Sequence, residues 1–145
     1  MFSTSSIPFY QGKSTTISIL TEINCIFCVT RGFQPSPVYR EQAEKQLDAF
    51  AIYHAHGIIW DLREAEVIAK EDQDWTINEW QPQALALGYR RGAIVVPKSI
   101  FGQLSVKKVI NQVQSSKAGE DLQIQYFSDV PSAYEWMKKE LAVLA

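Results

Sequence analysis

The sequence predicts an α/β domain built on a mixed sheet, and three observations support this fold class. An apolar run lies between His56 and Arg63. Its side chains alternate, with Ile58 and Trp60 on one face and Ile59 on the other, which is typical of a central strand covered by helices on both sides. Strand-like and helix-like segments follow the order β-β-α-β-α-β-α-β-α. Each later strand is followed by a helix, which can return the chain to the same end of the sheet through a right-handed crossover. The central strands should therefore run parallel.

The length and net charge of the chain limit the classes of protein to which it can belong. A chain of 145 residues can hold one hydrophobic core without metal or disulfide. Its formal net charge of -2 indicates no surface for phosphate, so nucleic acid is not an expected partner. The first residues do not resemble a signal peptide, and no apolar run approaches the ~20 residues of a membrane span. We therefore expect a cytoplasmic protein without a membrane span.

The N-terminal part of the chain contains the opening hairpin. Residues 1–14 are polar and turn-like, which predicts a flexible segment. The domain is then expected over residues 15–145. Residues 15–20 and 25–30 are rich in β-formers and separated by a short polar turn, which predicts an antiparallel pair.

The first helix has clear start and stop signals. Ser36 and Pro37 supply an N-cap and a proline at the first helical position. One face of this helix carries Tyr39, Ala43, Leu47 and Phe50. The helix is predicted to end near His56, because glycine at position 57 tolerates the left-handed conformation that often follows a helix.

The second helix is predicted to be interrupted. Residues 63–71 are charged and indicate a loop, and either Asp72 or Asp74 can cap the helix that follows. Pro82 should kink this helix or split it in two, since proline lacks the backbone N–H of a helix interior. Gly88 is the expected stop.

The last third of the chain continues the alternation of strands and helices. Residues 93–97 form a wholly apolar strand, and a helix from about Ser105 buries a stripe made of Val106, Val109, Ile110 and Val113. Residues 117–119 are a predicted turn. Residues 122–127 alternate apolar with polar, which indicates an edge strand with one wet face, and Asp129 should cap the last helix.

Two short motifs have the spacing of metal or redox sites. Cys25 and Cys28 form C-x-x-C, but their apolar flanks favour a strand, in which residues three apart face opposite sides. His54 and His56 form H-x-H, at a helix end where histidine is favoured by the helix dipole. We therefore expect no metal site and no cofactor.

The order of elements and two segments carry a family resemblance. These segments are the central strand Ile58-Ile59-Trp60-Asp61-Leu62 and the run from Asp129 to Met137, which has a small residue before an aromatic pair. Over about residues 15–145 the chain resembles the STAS domain (sulphate transporter and anti-sigma-factor antagonist). It is most similar to the bacterial STAS-like family related to the sporulation anti-sigma antagonist. The resemblance implies a single STAS-like domain that acts through binding.

The chain departs from this family at the regulatory serine. In antagonists of the sporulation type, a phosphorylatable serine starts the helix after the central strand, within an Asp-Ser-Ser-Gly-Leu type of sequence. In this chain the first hydroxyl side chain after Asp61 is Thr76, inside the predicted helix. The resemblance therefore implies a non-catalytic regulatory or protein-interaction module that lacks this phosphorylation site.

A binding crevice is predicted at the carboxyl end of the central strand. The residues expected to line it are Trp60, Asp61, Arg63 and Lys98. No catalytic residue is predicted there. The alternative is an enzyme in which Asp61 and Arg63 form an acid/base or anion site together with Glu64, Glu66 and Lys98.

The tryptophans of the second helix suggest a contact surface. Trp75 and Trp80 lie well apart around the helix, so at least one should face away from the sheet. This predicts an interface with a protein partner or with a second copy of the chain in a homodimer. A further alternative is carriage of a small apolar ligand, since the family has a distant likeness to CRAL-TRIO lipid carriers and aromatic residues are abundant near the crevice.

Overall fold

The computed structural model describes residues 4–114 and 121–144, and its centre is a six-stranded mixed sheet with the strands in chain order. The strands are β1 (Ser6–Gln11), β2 (Thr15–Leu20), β3 (Cys25–Gly32), β4 (Gly57–Ala65), β5 (Arg91–Val95) and β6 (Gln123–Phe127). The first three strands are antiparallel, and β3 to β6 run parallel. The predicted α/β class with a mixed sheet and parallel central strands is confirmed.

Helices cover both faces of the sheet, as the composition of the central strand predicts. The helices are α1 (Ser36–Tyr53), α2 (Lys70–Trp75), α3 (Gln81–Ala86), α4 (Ile100–Gln114) and α5 (Val130–Leu144). The parallel strands are added in one direction, so right-handed crossovers place α1 to α4 on one face. Helix α5 follows the last described strand and packs on the other face. Among the described residues, no helix has both the length and the hydrophobicity needed to cross a bilayer.

The N-terminal segment differs from the prediction. A flexible segment was expected over residues 1–14, but Ser6–Gln11 forms the edge strand β1, paired with β2. The sequence signal is weak because Pro8 cannot donate to a strand ladder and the pairing is irregular just after it. The strand is held by tertiary contact, since the Phe9 ring packs edge to face on Tyr53 at 5.9 Å.

The end of α1 is set differently from the prediction. The left-handed residue is His54, with φ 54°, and its N–H donates to the Phe50 carbonyl. Gly57 instead begins β4, where a Cβ atom would lie 2.5 Å from the sulfur of Met137 on α5. Glycine is therefore required at position 57 by the close approach of α5 to the sheet.

The start of α2 is also corrected. The helix begins at Lys70, without a side-chain cap, so neither Asp72 nor Asp74 is the N-cap. Asp72 is fully buried and accepts hydrogen bonds from Arg40 Nε at 3.1 Å and Ser36 Oγ at 2.9 Å. Its carboxylate joins α2 to α1, a role that local sequence does not reveal.

The predicted interruption at Pro82 is confirmed. A π-helical turn, Thr76–Trp80, joins α2 to α3, and the Gln81 N–H donates to the Thr76 carbonyl five residues earlier. The wider turn accommodates the proline ring, which lacks an N–H and would clash with a carbonyl in a regular α-helix. Gly88, with φ 110°, ends this helical segment as predicted.

The C-terminal elements largely follow their patterns. Helix α4 begins at Ile100, earlier than predicted, because Ser99 Oγ accepts a hydrogen bond from Gly102 N at 3.2 Å. Its buried stripe includes Val106, Val109 and Ile110. Strand β6 is the edge strand with one wet face, and Asp129 Oδ1 caps α5 by accepting from Ser132 N at 2.8 Å. The turn predicted at residues 117–119 lies outside the described residues.

Substitution of Gly57 tests the close approach of α5 to β4. Gly57→Ala should lower the free energy of unfolding by about 1–3 kcal/mol, because the added methyl group overlaps the buried side chain of Met137. Urea denaturation measures this change. In a Met137→Ala background, Gly57→Ala should lower the free energy of unfolding by much less, since the overlapping sulfur is absent. Equal costs in both backgrounds would contradict this explanation.

Candidate functional site

An open crevice lies on the α5 face of the sheet, where β3 and β4 end. Its lining residues are Phe27, Val29, Arg31, Asp61, Arg63, Val130 and Pro131. Asp61 is buried and binds Arg63 through two side-chain hydrogen bonds, from Nε to Oδ1 at 2.9 Å and from Nη2 to Oδ2 at 2.8 Å. Asp61 and Arg63 therefore meet at the predicted edge of the sheet.

The electrostatics of this crevice favour a structural ion pair. The hydrogen bonds that Arg63 donates to Asp61 raise the pKa of Arg63, and both carboxylate oxygens of Asp61 are engaged by the same guanidinium. Arg31 is exposed and forms no ion pair with a described residue. The lining of the crevice thus offers the exposed guanidinium of Arg31, while its carboxylate, Asp61, is already bound by Arg63.

The side chains of the other two residues predicted for the crevice, Trp60 and Lys98, have other partners. Trp60 points to the opposite face of the sheet, where its Nε1 donates to Gln46 Oε1 at 3.2 Å. Lys98 is exposed and bonds Glu64 at 2.8 Å, which lowers the pKa of that carboxyl group. The structure therefore brings Asp61 and Arg63 together and places Trp60 on the other face, because alternate residues of a strand face opposite sides. The backbone of Lys98 adjoins Arg63, with its N–H donating to the Arg63 carbonyl at 3.2 Å, but its side chain pairs with Glu64.

The two tryptophans of the predicted interface have different surroundings. Trp80 is 4% exposed, and its Nε1 donates to the Ala43 carbonyl of α1 at 2.8 Å. It is not available to an interface of the folded chain. Trp75 is partly buried, with the Arg40 guanidinium 5.3 Å from its ring and Tyr39 packed edge to face at 6.3 Å. Its ring helps to hold α2 on α1.

The cysteine and histidine motifs form no metal centre among residues 4–114 and 121–144, where no group of three or more His, Cys, Asp or Glu side chains is placed to hold an ion. Cys25 and Cys28 are buried in the cores on opposite faces of the sheet, and burial raises the pKa of both thiols. His56 Nδ1 lies 2.8 Å from the Gly88 carbonyl, so this ring braces the start of β4.

A cavity that the sequence interpretation missed lies between the sheet and the helices α1, α3 and α4. We call it the helix-face cavity, and its volume is about 110 Å³. Its walls are mostly apolar and include Ala43, Trp60, Leu62, Trp80, Tyr89, Ile94, Val106, Val109 and Ile110. Four glutamines also line it and are almost fully buried: Gln34, Gln42, Gln46 and Gln81. The sequence signal is the pair Gln42 and Gln46, spaced i,i+4 beside the apolar stripe of α1.

A second feature missed in the sequence is the outward side of α4, which we call the α4 outer face. Ile100, Phe101 and Leu104 are 71%, 72% and 60% exposed there. The next turn of the same helix presents Lys107 and Lys108 to solvent. The sequence analysis did not reveal this face because the helix was predicted to begin near Ser105, which left residues 100–104 outside it.

Comparison with known proteins gave no match. The chain matches no protein-family model, no curated protein and no solved structure. The STAS-like resemblance therefore stays a prediction.

Loss of Arg63 and loss of Asp61 should lower the free energy of unfolding by different amounts. Arg63→Met leaves a buried carboxylate unpaired and should lower the free energy of unfolding by about 2–3 kcal/mol. Asp61→Asn leaves a half-exposed guanidinium that water can solvate, so its cost should be about 1 kcal/mol. Urea denaturation measures both values. The reverse order would show that the pair does not act as a structural brace.

The cap of α5 should make stability depend on pH. The hydrogen bond from the Ser132 N–H lowers the pKa of Asp129, so the charged cap stabilises the fold above the ordinary pKa of aspartate. This stabilisation is lost as the pH falls through the lowered folded value. Asp129→Ala should therefore melt several degrees below wild type at neutral pH, and the gap should close in acid.

Asp129→Asn is the matched control for this thermal scan, because asparagine also caps helices but carries no charge. Its melting temperature should exceed that of Asp129→Ala by an amount independent of pH. A wild-type advantage over Asp129→Ala that persists unchanged in acid would contradict a charged cap.

Proposed function

We propose that this chain is a non-catalytic, STAS-like protein-interaction module that holds a partner segment on the α4 outer face. The observation that carries this proposal is the exposure of Ile100, Phe101 and Leu104 on a helix whose other side is already buried. Clustered exposed apolar side chains are unfavourable in water and commonly mark contact surfaces. The remaining apolar stripe of α4 packs on the domain core, so the outer face is not needed for the fold.

The exposed apolar residues form one surface. Ile100 and Leu104 are four residues apart and Phe101 and Leu104 are three apart, so they are neighbours on the helix. Ile100, Phe101 and Leu104 therefore form one apolar surface at the start of α4.

Charge complementarity indicates the chemistry of the partner. Lys107 and Lys108 are exposed one turn beyond Leu104, and neither forms an ion pair with a described residue. A segment with apolar side chains that cover Phe101 and Leu104 and with Asp or Glu one helical turn away would satisfy both parts of this surface. We therefore propose an acidic, amphipathic partner helix as the occupant.

The contacts of the polar residues support a non-catalytic role. Asp61, the carboxylate at the strand end, has both oxygens bound by Arg63. Glu64 and Lys98 form an exposed ion pair with each other. A general acid or base needs a titratable group within reach of a substrate, and these groups are engaged with one another.

A peptide selection on the immobilised full chain tests the proposal. A display library of random helical peptides should yield binders with apolar residues and Asp or Glu one turn apart. Phe101→Ser should weaken these peptides at least about tenfold, since the central apolar contact is lost. Lys107→Glu combined with Lys108→Glu should weaken them and reduce the dependence of binding on salt.

Ile52→Ser is the matched control, because Ile52 is 61% exposed near the end of α1, at the other end of the sheet from the start of α4. This variant should bind the peptides like wild type. Binders without acidic residues, or binders indifferent to Phe101→Ser, would overturn the proposal. A wild-type dimer that Phe101→Ser converts to monomer in sedimentation would assign the face to a second copy. Binding to anionic vesicles that the variants abolish would assign it to a membrane.

A further inference from the structure

We propose that the helix-face cavity is a binding site for a compact, neutral aromatic molecule that carries one hydroxyl or carbonyl group. This site lies beneath α4 and is distinct from the α4 outer face. The inference combines the cavity's size, its lack of charge, its unpaired amides and its aromatic walls.

The size of the cavity limits the ligand. An apolar cavity of about 150 Å³ binds benzene. The helix-face cavity is smaller, at about 110 Å³, but it is partly open, so a single six-membered ring is the upper limit of what it can enclose. Sites for drug-sized molecules have volumes of about 300–1,000 Å³. A lipid chain therefore does not fit the cavity in this state, and a single small ring does.

The lining selects a neutral molecule. None of the side chains that line the cavity carries a charge. The nearest buried ionic group on α2, Asp72, is already bound by Arg40 and Ser36. An ion transferred from water into this cavity would lose its hydration without gaining a counter-ion, which is strongly unfavourable.

Glutamine side-chain amides without a hydrogen-bond partner among the described residues favour a ligand that carries a polar group. Gln81 lines the cavity at 5% exposure, and its side chain makes no hydrogen bond with a described residue. Gln42 Oε1 accepts from Gln46 Nε2 at 2.6 Å, while Gln46 Oε1 accepts from Trp60. The Nε2 group of Gln42 is therefore left as a donor. A ligand hydroxyl or carbonyl can accept from these amides, which are otherwise unpaired with described groups.

The aromatic walls favour a ring. Trp60, Trp80 and Tyr89 all line the cavity, and their ring centroids are 5.7–6.1 Å apart in tilted or edge-to-face arrangements. Such a cluster presents both ring faces and ring edges, which are the surfaces that a small aromatic guest contacts favourably. Phenol combines this ring with a single hydroxyl group and is therefore the probe of choice.

Calorimetric titration of the full chain tests the site with phenol, benzene and benzoate. We expect phenol to bind saturably at one site, benzene to bind more weakly, and benzoate not to bind. Gln81→Met and Gln42→Met keep the side-chain length but remove the amide, so each should weaken phenol about tenfold and leave benzene unchanged. Equal binding of phenol by wild type and both variants would overturn the role of the amides.

The indole N–H resonances locate the ligand. Phenol should shift the signals of Trp60 and Trp80, which line the cavity, and leave Trp136 on the α5 face unchanged. Ala43→Leu should fill the cavity and abolish these shifts, while Val143→Ala on the exposed side of α5 should preserve them. The absence of saturable heat and of Trp60 and Trp80 shifts in wild type would overturn the proposal, as would shifts confined to Trp136.

Discussion

The burial of β4 on both faces is the constraint on which the rest of the structure depends. On one side Ile58 and Trp60 pack beneath the helices α1 to α4, and on the other Ile59 packs against α5. A strand covered on both sides cannot shift its register by one residue without exchanging its apolar and polar sets. The same constraint explains two details at its ends. Gly57 has no room for a side chain under α5, and Asp61 is buried only because Arg63 supplies two hydrogen bonds.

Helix α4 connects the two proposed sites. Its inner side, with Val106, Val109 and Ile110, forms one wall of the helix-face cavity, and its outer face carries the exposed residues Phe101 and Leu104. A small molecule beneath the helix and a partner segment above it would therefore contact opposite sides of one element. The crevice at Asp61 lies on the other face of the sheet and belongs to neither site.

The site residues were predictable where they lie next to each other along one strand face. Asp61 and Arg63 are two apart, so their contact follows from strand geometry. The cavity was not predictable, because it joins residues from eight separate elements, among them Gln42 on α1 and Gln81 on α3. Trp80 illustrates the same difficulty. Its position on the helix allowed an exposed ring, and the bond to the Ala43 carbonyl shows that α1 covers it.

Local patterns in the sequence by themselves determined the α/β class, the parallel central strands, the break before Pro82, the stop at Gly88 and the cap at Asp129. These features depend on residues within one or two turns of each other, so periodicity and capping chemistry are sufficient. Only the tertiary structure decided that Ser6–Gln11 pairs as a strand, that Asp72 is buried against α1, and that a cavity remains beneath α4. Each of these features depends on contacts between segments far apart in the chain, whose energies no local pattern encodes.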